Sequence, residues 1–146
     1  MAGPSIPYGY RFDPNDEELM GYLKKKIFNE NTHDVIPEAN IYDVKPDDLP
    51  FDSFRYAVES IWYFYTIKPN SLPMTGDGYW SPIAEVDIRG QVKGFKKELV
   101  YYQHPRQMTC WYMHEYRLHP DILAGVALDA HQKAEVISFL ISSRFT

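Results

Sequence analysis

Between Gly76 and Gln103 the chain reads GDGYWSPIAEVDIRGQVKGFKKELVYYQ, and its apolar and polar positions are laid out as two strands hung on turns. Ile83 to Arg89 alternates, with Ile83, Glu85 and Asp87 in one set and Ala84, Val86 and Ile88 in the other. That period of two predicts a half-buried strand. Arg89-Gly90-Gln91 supplies a turn, and Phe95 to Tyr102 forms the second strand, charged at Lys96 and Lys97 and apolar from Leu99 onwards.

The same patterning divides the rest of the chain. Pro4 and Pro7 keep Ser5 to Phe12 extended. A helix is predicted to start after Asn15, which can cap it with Glu18 as the reciprocal partner three residues on. Asp16 and Glu17 sit at the positive end of its dipole, and Lys24 to Lys26 close it as a solvated last turn. Leu19, Leu23 and Ile27, with Met20, make its buried face. A short strand is predicted over Ile41 to Val44, followed by an acidic turn bounded by Pro46 and Pro50, in which Asp47 and Asp48 read as solvated carboxylates. Ile61 to Ile67 (IWYFYTI) is continuously apolar, as expected of a central strand covered on both faces. Thr109 to Arg117 alternates again, and Glu135 to Phe145 is a last strand after a loop or short helix over Gly125 to Ala134.

Composition narrows the classes. With 146 residues, 45% of them hydrophobic, the chain suits one domain with a real core, and 16% aromatics favour sheet over helical bundle. The single cysteine, Cys110, excludes an internal disulfide framework. No apolar run approaches the ~18 residues of a membrane span, and Met1-Ala2-Gly3-Pro4 lacks the features of a signal peptide. A cytosolic or nuclear protein without membrane association is expected. Formal net charge is −5, which argues against bulk, non-specific nucleic-acid binding but permits a basic patch. Arg89 to Lys97 carries four basic residues and no acid, a local reversal of sign that is a first functional clue.

Catalytic and metal chemistry find little support. Cys110 and His114 share a strand face, but no second Cys or suitably spaced His completes a zinc site. His114-Glu115 opens like a zinc-protease signature, and the next histidine, His119, misses the helical spacing. Gly76-Asp77-Gly78 is a lone G-x-G without a helix behind it. No enzyme, catalytic residue, metal, cofactor or small-molecule substrate is expected.

Tyr8-Gly9-Tyr10-Arg11-Phe12 with Pro14 and Asp16-Glu17-Glu18-Leu19, Tyr22-Leu23 and Lys26 resembles the opening motif of the plant NAC transcription-factor domain. Ile41-Tyr42, Asp48-Leu49-Pro50, Trp62-Tyr63-Phe64, Gly78-Tyr79-Trp80, Lys96-Lys97 with Leu99-Val100 and Tyr102, and Trp111 with Met113 to Leu118 follow in that family's order. The resemblance implies an α+β fold, a twisted antiparallel sheet flanked by a few helices, spanning 1–146 as one nuclear DNA-binding and dimerisation domain. It implies a dimer, homotypic or with related NAC proteins, through Ile6, Pro7 and Tyr8 and an intersubunit ion pair of Arg11 with Glu18. It also implies double-stranded DNA as partner, with a sheet-edge strand in the major groove and contacts from Tyr79, Ser81, Arg89, Lys93, Lys96, Lys97 and Arg106.

The chain departs from the family where DNA would dock. After Gly78-Tyr79-Trp80 the family continues with lysine, alanine, threonine, glycine and a later lysine; here stands Ser81-Pro82-Ile83-Ala84-Glu85-Val86-Asp87. Two lysines are replaced by a rim with two acids. The arginine-containing loop upstream is reduced to Ser71 to Thr75 without a cation, and the lysine-rich loop downstream to His104-Pro105-Arg106-Gln107-Met108. Loss of about four phosphate contacts weakens binding by roughly 100-fold or more at physiological salt. Two functions follow: a DNA-binding regulator with weakened or altered recognition, or an interaction module that dimerises with other regulators without binding DNA.

Overall fold

The computed structural model describes residues 12–30, 35–54, 61–67, 74–75, 78–124 and 135–142. Helix α1, Asp16–Ile27, begins where Asn15 caps it: Asn15 Oδ1 accepts from the Glu18 amide at 2.8 Å, and Glu18 Oε1 accepts from the Asn15 amide at 3.1 Å. Two of the amide donors at the helix start are thereby satisfied, as the sequence predicts. Leu19, Met20, Leu23 and Ile27 are its buried face.

Among the described residues six strands form one antiparallel sheet: β1 Ile61–Ile67, β2 Met74–Thr75, β3 Gly78–Ile88, β4 Gly94–Gln103, β5 Gln107–Leu118 and β6 Glu135–Ser142, in the spatial order β1-β6-β5-β4-β3-β2. The sheet is twisted and the fold is α+β, as expected. Side-chain alternation along the strands sends residues to two separate cores. On one face Tyr63, Tyr65, Tyr116 and Leu118 pack with α1 and Phe54. On the other, Phe64, Trp80, Leu99, Tyr101, Trp111 and Met113 are covered by Ile41, Tyr42 and Leu49.

Several expectations change. Ile41 to Val44 is not a strand: it is a turn whose Asp43 amide bonds back to the Asn40 carbonyl at 3.1 Å, followed by 3-10 turns at Pro46–Asp48 and Phe51–Ser53. Ile41 and Tyr42 are apolar because they roof the second core, and burial alone carries no strand geometry. Strand β1 is covered on both faces at Tyr63 to Thr66, but it ends the strand order instead of lying at its centre. Its outer edge is shielded by the 35–54 segment: Glu38 bridges Tyr65 in parallel, and the Ala39 and Tyr65 amides bond to the Tyr65 and Pro37 carbonyls. Lys26 is not simply solvated; its ammonium pairs with Glu38 and lies 5.5 Å from the Tyr65 ring centroid. Asp47 and Asp48 are exposed as expected, and Asp47 also accepts from Trp111 Nε1 at 2.9 Å. A four-residue helix, α2 Pro120–Leu123, was not foreseen. Gly125 to Ala134 lies outside the described residues.

Candidate nucleic-acid interface

Strand β3 has one open flank. Its partner β2 pairs only with Gly78 and Tyr79, so from Trp80 to Ile88 no described residue bonds to its outer side. The register slips by one residue between Pro82 and Ala84, leaving Ile83 as the bulged position. Beyond the slip the predicted half-buried alternation is absent: residues 82–87 are all exposed, Ile83 and Val86 at 55% each. Neither core reaches this part of the strand, so the period of two separates two wet faces. A bulge, a proline and two carboxylates are features that keep such an edge from pairing indiscriminately.

The pairing register decides what each charged residue faces. Glu85 pairs with Lys97, Asp87 with Phe95, and Phe95 with Arg117, which puts these five on the same face as the second core, beyond its end. Glu85 holds two cations there: its Oε1 accepts from Arg117 Nη2 at 2.6 Å, and its Oε2 lies 3.9 Å from Lys97 Nζ. The Arg117 guanidinium lies 4.3 Å from the Phe95 centroid, and the His119 ring stacks on the same phenyl at 5.4 Å and 20°. At the turn, Arg89 stands 3.9 Å from Asp87, with both side chains open to solvent. Lys93 is exposed and makes no ion pair among the described residues.

Lys96 points the other way. Its ammonium lies 3.5 Å from Asp16 and 5.8 Å from the Tyr116 centroid, and Tyr116 donates to Asp16 Oδ1 at 2.8 Å. Burial first, and the Asp16 contact second, push the Tyr116 phenol well up, so it stays a neutral donor. Lys96 thus ties the sheet to the start of α1. Tyr79 and Arg106 lie toward the opposite end of the sheet, where Tyr79 stacks on Tyr102 at 5.7 Å and 14° and Arg106 sits exposed in the β4–β5 turn, while Ser81 pairs with Val100 part-way between. The ten residues of β4 separate the two ends by roughly 30 Å. The seven residues expected to touch DNA are therefore not one cluster: Arg89, Lys93 and Lys97 are toward one end, Lys96 is on the opposite face, Ser81 stands midway along β3, and Tyr79 and Arg106 are toward the far end.

Sequence reasoning missed Arg117 and His119 as members of this patch. The face of Arg117 was available from the alternation of β5, but its neighbours on β3 and β4 were not, and His119 lies just past the end of that strand. Beneath the patch, on the same parity, Glu115 is buried and accepts from the Tyr42 hydroxyl. Burial pushes its carboxyl up to about 7, against the opposing pull of Arg117. His114, on the α1 side, is 3.8 Å from Glu98, and burial followed by Lys96 holds its pKa below the usual histidine range.

Of the residues expected at a dimer contact, Ile6, Pro7, Tyr8 and Arg11 lie outside the described residues. Glu18 is exposed, with one carboxylate oxygen on the Asn15 amide.

The family model described as No apical meristem (NAM) protein matches residues 7–118. The chain belongs to the NAC family. Among its relatives, NAC domain-containing protein 54 of Oryza sativa subsp. japonica is 38% identical over 133 residues, covering 81% of this chain and 20% of the relative. NAC domain-containing protein 86 of Arabidopsis thaliana is also 38% identical, over 81% of this chain and 28% of its own length. NAC domain-containing protein 4 of Oryza sativa subsp. japonica is 36% identical over 91% of this chain and 43% of its own length. This NAC domain thus matches less than half the length of these relatives. Family membership implies a domain of the plant transcription-regulator class.

Proposed function

We propose that this NAC domain binds double-stranded DNA in the nucleus, as a homodimer or with a related NAC protein, and that its recognition is weakened. The observation that supports the reading is the open rim of β3 beside a group of cations, with Glu85 holding two of them. Strand β3 offers residues 82–87 to solvent at one flank of the sheet, and Arg89, Lys93, Lys97 and Arg117 lie within the adjoining turn and strands. A strand of that kind fits a major groove, and its flanking cations hold phosphates. Glu85 and Asp87 oppose this: each brings a negative charge to a surface that must approach a polyanion. A face short of about four cations binds roughly 100-fold or more weakly at physiological salt.

Fluorescence anisotropy of a labelled duplex pool at low and moderate salt tests the reading. Sequence-selective binding that falls steeply with salt is expected. Binding without selectivity at any salt would retire DNA recognition and leave the second reading, an interaction module that pairs with intact relatives. The specific observation favouring that alternative is the pairing of Lys97 and Arg117 with Glu85, which leaves them partly neutralised before any DNA arrives.

For dimerisation, the proposed ion pair is Arg11 with the partner's Glu18. The Asn15 amide occupies only one oxygen of Glu18, and a carboxylate accepts at both. Arg11→Glu is expected to raise the monomer fraction in sedimentation, and adding Glu18→Arg to restore pairing. An unchanged assembly in the single variant would end this assignment.

A further inference from the structure

We propose that the cavity between the β3–β4 turn and His119 seats a phosphate group, supplied by the DNA backbone, with His119 as a donor. The inference rests on the DNA-binding reading above and adds to it a defined contact. The cavity, about 340 Å³, is lined by Asp87, Ile88, Arg89, Lys93, Gly94 and His119. Three of those six side chains can donate to an anion, and one is an acid.

His119 is held so that one particular nitrogen remains to be offered. Its Nδ1 accepts from the Asp121 amide at 3.1 Å, so the neutral ring carries its proton on Nε2. Stacking on Phe95 sets the plane of the ring. The His119 amide donates to the Lys93 carbonyl at 3.0 Å, which locks the histidine to the turn bearing the two cations. The turn is held from the other side as well: the Gln91 amide reaches Glu17 Oε1 at 3.5 Å on α1. At Gly94 a Cβ would run into Met20 and the Arg117 carbonyl, so β4 leaves the turn against packed atoms on both sides. These contacts hold the His119 ring and the backbone of the turn in place before the ligand arrives. The exposed Arg89 and Lys93 side chains close on it afterwards, so one charge-assisted hydrogen bond is preorganised.

Asp87 is the opposing group in the cavity lining, and the exposed Asp121 carboxylate, 3.5 Å from His119 Nδ1, is a second acid beside it. Asp87 lies 3.9 Å from Arg89, and both side chains are largely exposed, so the pair is weak and Arg89 can turn to an incoming phosphate. An exposed, loosely held carboxylate lowers the affinity of the seat without closing it.

Two substitutions separate the donor from the cap. His119→Asn can still accept from the Asp121 amide and so keeps the start of α2, but it has no group at the Nε2 position. His119→Gln places an amide N–H close to that position and gives up the cap. Anisotropy with a labelled random-sequence duplex is the main readout, and thermal unfolding confirms that each variant folds. The expected result is a roughly ten-fold weaker His119→Asn and a near wild-type His119→Gln. Lys93→Ala should weaken binding to all sequences and lower the salt slope by about 1, and Asp87→Asn should strengthen it. Duplex binding that is unchanged in both His119→Asn and Lys93→Ala overturns the seat and leaves the DNA-binding reading intact. In parallel, inorganic phosphate is titrated against the His119 ring resonances. If the wild-type protein binds no duplex but phosphate shifts those resonances, the seat stands as an anion site and DNA is rejected as its source. Silence from both probes overturns both proposals.

Discussion

Glu85 on β3 reaches past β4 to Arg117 on β5, its Oε1 accepting from Nη2 at 2.6 Å, while its other oxygen lies 3.9 Å from Lys97. One carboxylate therefore sits where a phosphate would meet the same two cations. Glu85→Gln removes the competitor without changing the shape of the rim. Its affinity for duplex DNA should rise roughly ten-fold, with a steeper salt dependence. An affinity and slope equal to those of the unmodified domain would mean that Lys97 and Arg117 lie off the DNA path.

Lys96 and Lys97 are adjacent in sequence and opposed in space. Lys97→Ala should cost roughly ten-fold in DNA affinity and reduce the salt slope by about 1. Lys96→Ala should instead loosen the contact with Asp16, lowering stability by at most ~1 kcal/mol because that pair is partly solvated. Equal losses of affinity in the two variants would move Lys96 to the DNA side.

Glu115 links stability to pH. Its carboxyl is raised from 4.5 to about 7 in the fold, so between those values the folded chain binds more protons than the unfolded one. Stability from this group is then fully present below about pH 4.5 and is lost as pH rises through 7. Denaturant titrations of the wild type and Glu115→Gln should diverge over that window by an amount on the order of 3 kcal/mol, the wild type falling relative to the variant. Parallel pH curves would show that Glu115 titrates normally. Subtracting the variant also removes the opposite contribution of His114, whose lowered pKa costs stability as pH falls below 6.5.

Asn15→Ala removes one half of the reciprocal cap and should destabilise the domain by about 1 kcal/mol, read as a lower midpoint in chemical unfolding. A midpoint at the wild-type position would mean that the α1 amides find other acceptors.

Some of this architecture was readable at once. The cap of α1 involves residues three apart, and the burial of Leu19, Leu23 and Ile27 follows from helical spacing. The alternation in Thr109 to Arg117 and the apolar run after Lys97 matched β5 and β4 closely. Ile41 and Tyr42 misled because an apolar pair covering a sheet has the same signature as one within it. Residues 83–89 misled for the opposite reason: alternation assigns side chains to two faces, but says nothing of whether either face is covered.

From the residues in order, local geometry and kinship were determined: which segments prefer helix or strand, where α1 is capped, and membership in the NAC family. Those properties depend on dihedral preferences, on hydrogen bonds within a turn and on motif order. The tertiary structure decided the electrostatics of the interface. Glu85 and Arg117 are 32 positions apart, and Lys96 and Asp16 are 80 apart. Strand register and helix docking bring such pairs within a few ångströms, and Coulomb interactions at that range outweigh the count of charges along the chain.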